Sequence, residues 1–137
     1  MSSFQTEYEN FKNAWESFSI EQLERFVDKD YQAREIREGS IVDFGYEESI
    51  DGWTQAFDHF SDKNAEWHLQ DIGLIQVKEN EMLAILSATL TVEGEQMKTA
   101  NLFFDTFKNT SGMEWKLVRS YIETGVPLDN LNSISFK

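Results

Sequence analysis

The sequence predicts an α+β domain in which three N-terminal helices lie on a curved antiparallel sheet. Three observations predict it. Apolar residues at the N-terminus recur with helical spacing, the period falls to two between residues 65 and 123, and the links within that second stretch are short and rich in turn residues. Helices gathered on one side of a meander of strands make this class of domain. At 137 residues the chain is read as a single domain, with a core over 4–123 and a C-terminal tail over 124–137.

Each element has its own justification. Phe4, Tyr8, Phe11, Trp15 and Phe18 form an apolar stripe at steps of four and three, with charged and amide side chains between them. Ser19 is the N-cap of a second, short helix, with Gln22 in capping-box position, and this helix buries Ile20, Leu23, Phe26 and Val27. Residues 31–38 and 41–46 read as two strands around Gly39-Ser40. Ser49 caps a third helix that turns Ile50, Trp53, Phe57 and Phe60 inward. Strands are expected at 66–77, 82–92, 96–107 and 114–122, joined by Lys78-Glu79-Asn80-Glu81, Glu93-Gly94-Glu95 and Asn109-Thr110-Ser111-Gly112.

Composition narrows the function classes. Twelve basic against 25 acidic residues give a net charge of −13, which repels phosphate backbones and anionic lipid surfaces, so no nucleic acid and no membrane is expected as a partner. Cysteine is absent, which removes disulfides, thiolate metal sites and a cysteine nucleophile. Two histidines without nearby acidic spacing predict no metal site, and without a glycine-rich phosphate loop or dinucleotide fingerprint no cofactor is expected. No apolar run approaches membrane-spanning length and the N-terminus lacks a basic segment followed by an apolar one. The expected location is cytoplasmic.

The order of elements resembles the nuclear-transport-factor-2-like superfamily, the cone-shaped, cystatin-like fold that also includes ketosteroid isomerases, polyketide cyclases and limonene epoxide hydrolase. The stretches Ser19-Ile20-Glu21-Gln22-Leu23-Glu24-Arg25-Phe26, Ser49-Ile50-Asp51-Gly52-Trp53 and Gly112-Met113-Glu114-Trp115-Lys116-Leu117-Val118 carry the resemblance. The resemblance implies a carboxylate base on the first strand, for which Glu35 is the approximate match, and a donor carboxyl near Phe104 or Asp105. It also implies a helix-borne tyrosine, for which only Tyr8 is available. No catalytic set of the family transfers intact, because Ser120 stands where an aspartate is expected on the last strand.

Two assignments of the sheet faces follow from alternation. In relatives the concave face holds last-strand positions that here look like Val118, Ser120 and Ile122, which implies a mainly apolar pocket with His68, Gln70, Ser87, Thr89 and Ser120 as polar groups. A one-residue slip exchanges this set for Asp71, Asn101, Asp105, Trp115, Arg119 and Tyr121. The first assignment is the one adopted. Asp71, Asp105 and Arg119 are the charged residues well inside the long strands, and with Glu35 they are the candidate catalytic groups: a carboxylate in an apolar cone acts as general acid or base, and a cation stabilises oxyanion charge. Asp71 and Asp105 could instead pair with Arg119 or reach water near a strand end, and Glu35 has the same choice, with Arg34 and Arg37 adjacent in sequence but pointing to the opposite side of the strand or along it. Trp15, Tyr31, Trp53, Phe57, His68, Ser87, Phe104, Ser120 and Tyr121 are the candidate ligand-binding residues, although aromatic stripes on helices also serve as plain core.

Both sheet faces are apolar, and helices cover only one. A homodimer through the other face is therefore expected, with the tail as the alternative cover. The function expected from these features is small-molecule binding in a mainly apolar pocket. The alternatives are an isomerase, cyclase or hydrolase using a pocket carboxylate, and a non-catalytic association module.

Overall fold

The structure, a computed structural model, describes residues 3–110, 112 and 114–132. Helix α1 (Phe4–Glu16) forms where the four-and-three stripe begins, with the Ser3 hydroxyl accepting from the Thr6 N–H at its first turn. Its stripe is the core: Phe11 is fully buried and meets Phe26, Trp53 and Phe107 with ring centroids 5.3–6.0 Å apart. The Ser19 hydroxyl accepts from the Gln22 N–H and starts helix α2 (Ile20–Leu23). That helix is a single turn. A 3₁₀ turn (Glu24–Phe26) follows, and Val27 already belongs to strand β1 (Val27–Arg37), where it pairs with Leu117. The β-branched Val27 is better satisfied in a sheet ladder than as the last residue of a helix.

Strand β2 (Ser40–Gly45) returns antiparallel to β1 through Glu38-Gly39, whose φ values of +48° and +82° suit the tight primed turns of hairpins. Helix α3 (Tyr46–Phe60) starts three residues before the expected cap. Gly45 is its N-cap, and the Glu48 carboxylate accepts from the Gly45 N–H at 3.1 Å, so Ser49 lies inside the first turns and is buried instead of capping. Strands β3 (Ala65–Lys78), β4 (Glu81–Val92), β5 (Glu95–Gln96), β6 (Thr99–Asn109) and β7 (Trp115–Pro127) complete the sheet, and helix α4 (Leu128–Leu131) follows. The expected tail therefore begins as strand, with Val126 paired to Ala100. Residues 133–137 lie outside the described part.

The sheet order is β2-β1-β7-β6-β4-β3, with β5 on the end of β4. All neighbours are antiparallel except β1 and β7, which are parallel. The domain is thus mixed α+β, but its helices are not a block of three ahead of the sheet. One long helix and a single turn precede two strands, and the second long helix follows them.

Register decides which residues face the helices. Leu86 lies between Asp71 and Phe103, Ala84 lies opposite Asp105, and Asp105 lies opposite Ser120, so these side chains share the inner face. Two irregularities put them together. An extra residue, Ile72, enters β3 between Asp71 and Gly73, and Val118 is extra in β7 between the pairs Thr106–Arg119 and Phe107–Leu117. Each reverses the alternation beyond it.

Candidate functional site

Helices α1 and α3 do not fill the inner face. A cavity of about 420 Å³ remains between α3, β2 and the inner face of β1, β7 and β6, a volume usual for small-molecule sites. Trp15 and Trp53 form one wall, with ring centroids 4.8 Å apart and planes tilted by 41°; Phe103 stands edge-on to Trp15 at 5.1 Å. Phe44, Phe57, Trp67, Leu117 and Ile122 add further apolar surface. Trp67 meets Trp15 edge to face at 5.7 Å, and its buried indole N–H has no hydrogen-bond partner.

The polar groups converge on one end. Asp105, 1% exposed, lines the cavity and accepts a hydrogen bond of 2.6 Å from the Ser120 hydroxyl. The Tyr31 hydroxyl lies near Ser120 and Ser49, so a line of polar side chains runs from β6 across β7 and β1 to α3. No ion pair among the described residues includes Asp105. Burial raises its pKa from the ordinary carboxylate value to about 7, against the smaller opposing effect of the Ser120 hydrogen bond. Burial, and then the charge of Asp105, push the Tyr31 hydroxyl well above its usual range, so it stays protonated. An aspartate that is half neutral near physiological pH can both donate and accept a proton.

Glu35 lines the same cavity from β1. Its carboxylate pairs with the Arg37 guanidinium two residues on, on the same side of the strand, while Arg34 points the other way and pairs with Asp43 at 2.8 Å. The cavity thus brings together Trp15, Tyr31, Glu35, Trp53, Phe57, Asp105 and Ser120 from the sequence candidates.

The remaining candidates lie elsewhere. Asp71 shares the inner face but sits beyond the cavity, under α1, where the Tyr8 hydroxyl and the Lys12 ammonium each donate to it at 2.7 Å. Arg119 is on the outer face and donates to Glu81 at 2.6 Å, so no inner-face carboxylate pairs with it. His68, Ser87, Phe104 and Tyr121 also belong to the outer face: His68 meets Thr91 at 2.7 Å, and Phe104 and Tyr121 pack with centroids 6.0 Å apart. Gln70 and Thr89 of the adopted pocket face are there too. The pocket face is therefore a composite of the two assignments, because Val118 changes the parity of β7 between Leu117 and Arg119. Arg37, expected to point away from Glu35 or along the strand, pairs with it instead, as their separation of two on a strand allows. Ser49 was hidden by its resemblance to a helix cap.

Comparison with known proteins gives the fold. No family model matches the chain, and no curated protein matches it by sequence. Among solved structures it is similar to a Thiobacillus denitrificans chain assigned as a calcium/calmodulin-dependent protein kinase type II association domain (TM-score 0.69, 15% identity, covering 90% of this chain and 96% of that one). It is also similar to an NTF2-like protein of unknown function in nutrient uptake from Rhodospirillum rubrum (0.65, 15%, 90% and 98%). A ketosteroid isomerase-like protein from Erwinia carotovora atroseptica gives 0.66 at 11% identity, with 90% and 94% covered. The chain has the cystatin-like, NTF2-like cone fold, and fold alone does not assign a reaction.

Proposed function

We propose that the protein binds a small organic molecule in the cavity between α3 and the inner sheet face. The observation that carries this reading is Asp105: a carboxyl group at the polar end of an aromatic-lined cavity, held by one serine and facing no cation. Buried ionisable groups are ordinarily paired, because an unpaired one costs stability. One left unpaired beside an open cavity is what a site for a polar ligand group requires. Filling the cavity tests this. Ala56→Trp places an indole in the lining and is expected to abolish binding of a naphthalene-based fluorescent probe with little change in thermal stability. Unchanged probe binding would overturn the assignment of the cavity as the ligand site.

A catalytic reading has its own support, since Glu35 and Asp105 line one cavity. In that reading Glu35, paired with Arg37, moves the substrate proton, and Asp105 in its neutral form donates to the developing oxyanion. Glu35→Gln and Asp105→Asn would each lower a turnover by about 10²-fold or more once one is found. A turnover indifferent to both would remove this reading.

The same proposal includes a homodimer through the outer sheet face. Leu83, Ile85, Leu102 and Phe104 are only partly covered there, and Tyr121 is 41% exposed. A contiguous apolar face of this kind marks an association surface. Sedimentation equilibrium is expected to give twice the chain mass, and Ile85→Glu to return it to one. A wild-type monomer at micromolar concentration would contradict it. No helix of the described residues is long and apolar enough to cross a membrane.

A further inference from the structure

We propose that the cavity selects a small organic cation, an amine carried on an apolar, ring-sized body, whose ammonium group docks against Asp105. The inference rests on the ligand-binding reading of the cavity and names the class of ligand.

The charges around the cavity carry it. Three carboxylic acids line it, Glu35, Glu48 and Asp105, against a single guanidinium, Arg37. That guanidinium is already taken by Glu35. The lining is therefore deficient in positive charge by one to two units, depending on the state of Asp105. An anionic ligand would meet two uncompensated carboxylates. A neutral ligand would leave Asp105 without a counter-charge, as it is now. An ammonium group supplies what is missing and turns a costly buried carboxylate into a satisfied pair.

The walls fit the same ligand. Trp15, Trp53, Phe103 and Phe57 line the cavity, and the faces of aromatic rings attract a cation, most strongly one removed from water. The overall charge of −13 raises the local concentration of cations around the whole molecule. A metal ion does not fit, because among the described residues no three histidine, aspartate or glutamate side chains converge to hold one.

The groups around Asp105 give the inference a pH signature. Tyr31 on β1 and Tyr8 on α1 both have hydroxyl pKa values raised by burial and stay neutral. Ser120 on β7 does not titrate, Glu35 is paired with Arg37, and Glu48 on α3 is exposed at the rim and binds the Gly45 N–H. Asp105 is then the group whose charge changes near neutrality. A cationic ligand needs it ionised and binds more tightly as pH rises through that region. A neutral ligand accepting from the carboxyl group binds less tightly over the same interval.

Three probes of one shape test this on the full chain: 2-naphthylmethylamine, 2-naphthalenemethanol and 2-naphthoate, each titrated calorimetrically at about pH 6 and about pH 8. The expected result at the higher pH is an amine affinity about tenfold or more above that of the alcohol, with no naphthoate binding. The amine affinity is expected to fall at the lower pH. Asp105→Asn should erase the preference for the amine while the alcohol still binds. Should that variant not fold, Glu48→Gln at the rim is expected to reduce the preference by about twofold. An alcohol that binds as tightly as the amine at the higher pH would overturn the cation assignment and leave the ligand-site reading standing. Binding of none of the three would overturn both.

Discussion

Asp71 and Asp105 project from the same face of one sheet, on strands two apart, yet they inhabit opposite environments. Asp71 is half exposed and receives a phenol and an ammonium, both from α1. Asp105 is 1% exposed, receives one hydroxyl and lines the cavity. The first arrangement uses its carboxylate to fasten a helix to a strand. The second leaves its carboxyl group available. What separates them is the helical cover, since α1 lies over β3 and supplies Tyr8 and Lys12, whereas no basic side chain reaches Asp105.

The largest expected effect removes what the two regions share. Phe107 packs against Phe4, Tyr8 and Phe11, and is 1% exposed. Phe107→Ala is expected to lower stability by about 3–5 kcal/mol in denaturant titrations, loosening α1 over both aspartates. A loss under 1 kcal/mol would show that α1 is fastened elsewhere.

Asp105→Asn sharpens the contrast through pH. With its pKa at about 7 in the folded protein, against 3.8 ordinarily, Asp105 holds in the native state a proton that the unfolded chain has already released. Stability therefore falls as pH rises between those two values, and the loss is complete above about pH 7. The asparagine variant is expected to be more stable than wild type by about 2–4 kcal/mol at pH 8, and nearly equal to it near pH 4. Equal stability at both would mean that the carboxylate is compensated in the fold.

Smaller effects belong to the other aspartate and to the surface. Tyr8→Phe removes one hydrogen bond to Asp71 and is expected to cost about 1 kcal/mol without altering probe binding in the cavity. A change in probe affinity would couple the two regions. Arg34→Ala breaks a fully exposed pair with Asp43, and thermal unfolding is expected to register no change.

The sequence showed the contrast only in part, for a physical reason. Helical stripes and hairpin spacings survive small local irregularities, so α1, α3 and the meander β3-β4-β6-β7 were legible from Phe4, Trp53 and the turn residues. Face assignments do not survive them. A strand alternates with period two, and the single extra residues Ile72 and Val118 invert everything beyond themselves. Asp105 and Ser120, which touch at 2.6 Å, were thereby placed on opposite faces. Nothing local to Val118 announces a bulge, and β6 opposite it runs on without interruption from Thr106 to Phe107. Glu35, singled out by the family resemblance, lines the cavity from a stretch of β1 that pairs regularly with β2, from Gln32 to Arg37.

That Asp105 lacks a counter-charge is tested by its own titration, followed by the carboxyl carbon resonance of aspartate-labelled protein and assigned with Asp105→Asn. The expected midpoint is about 7, displaced downward when an amine occupies the cavity. A midpoint in the ordinary carboxylate range in the free protein would mean that a counter-charge already faces Asp105, and would contradict its absence.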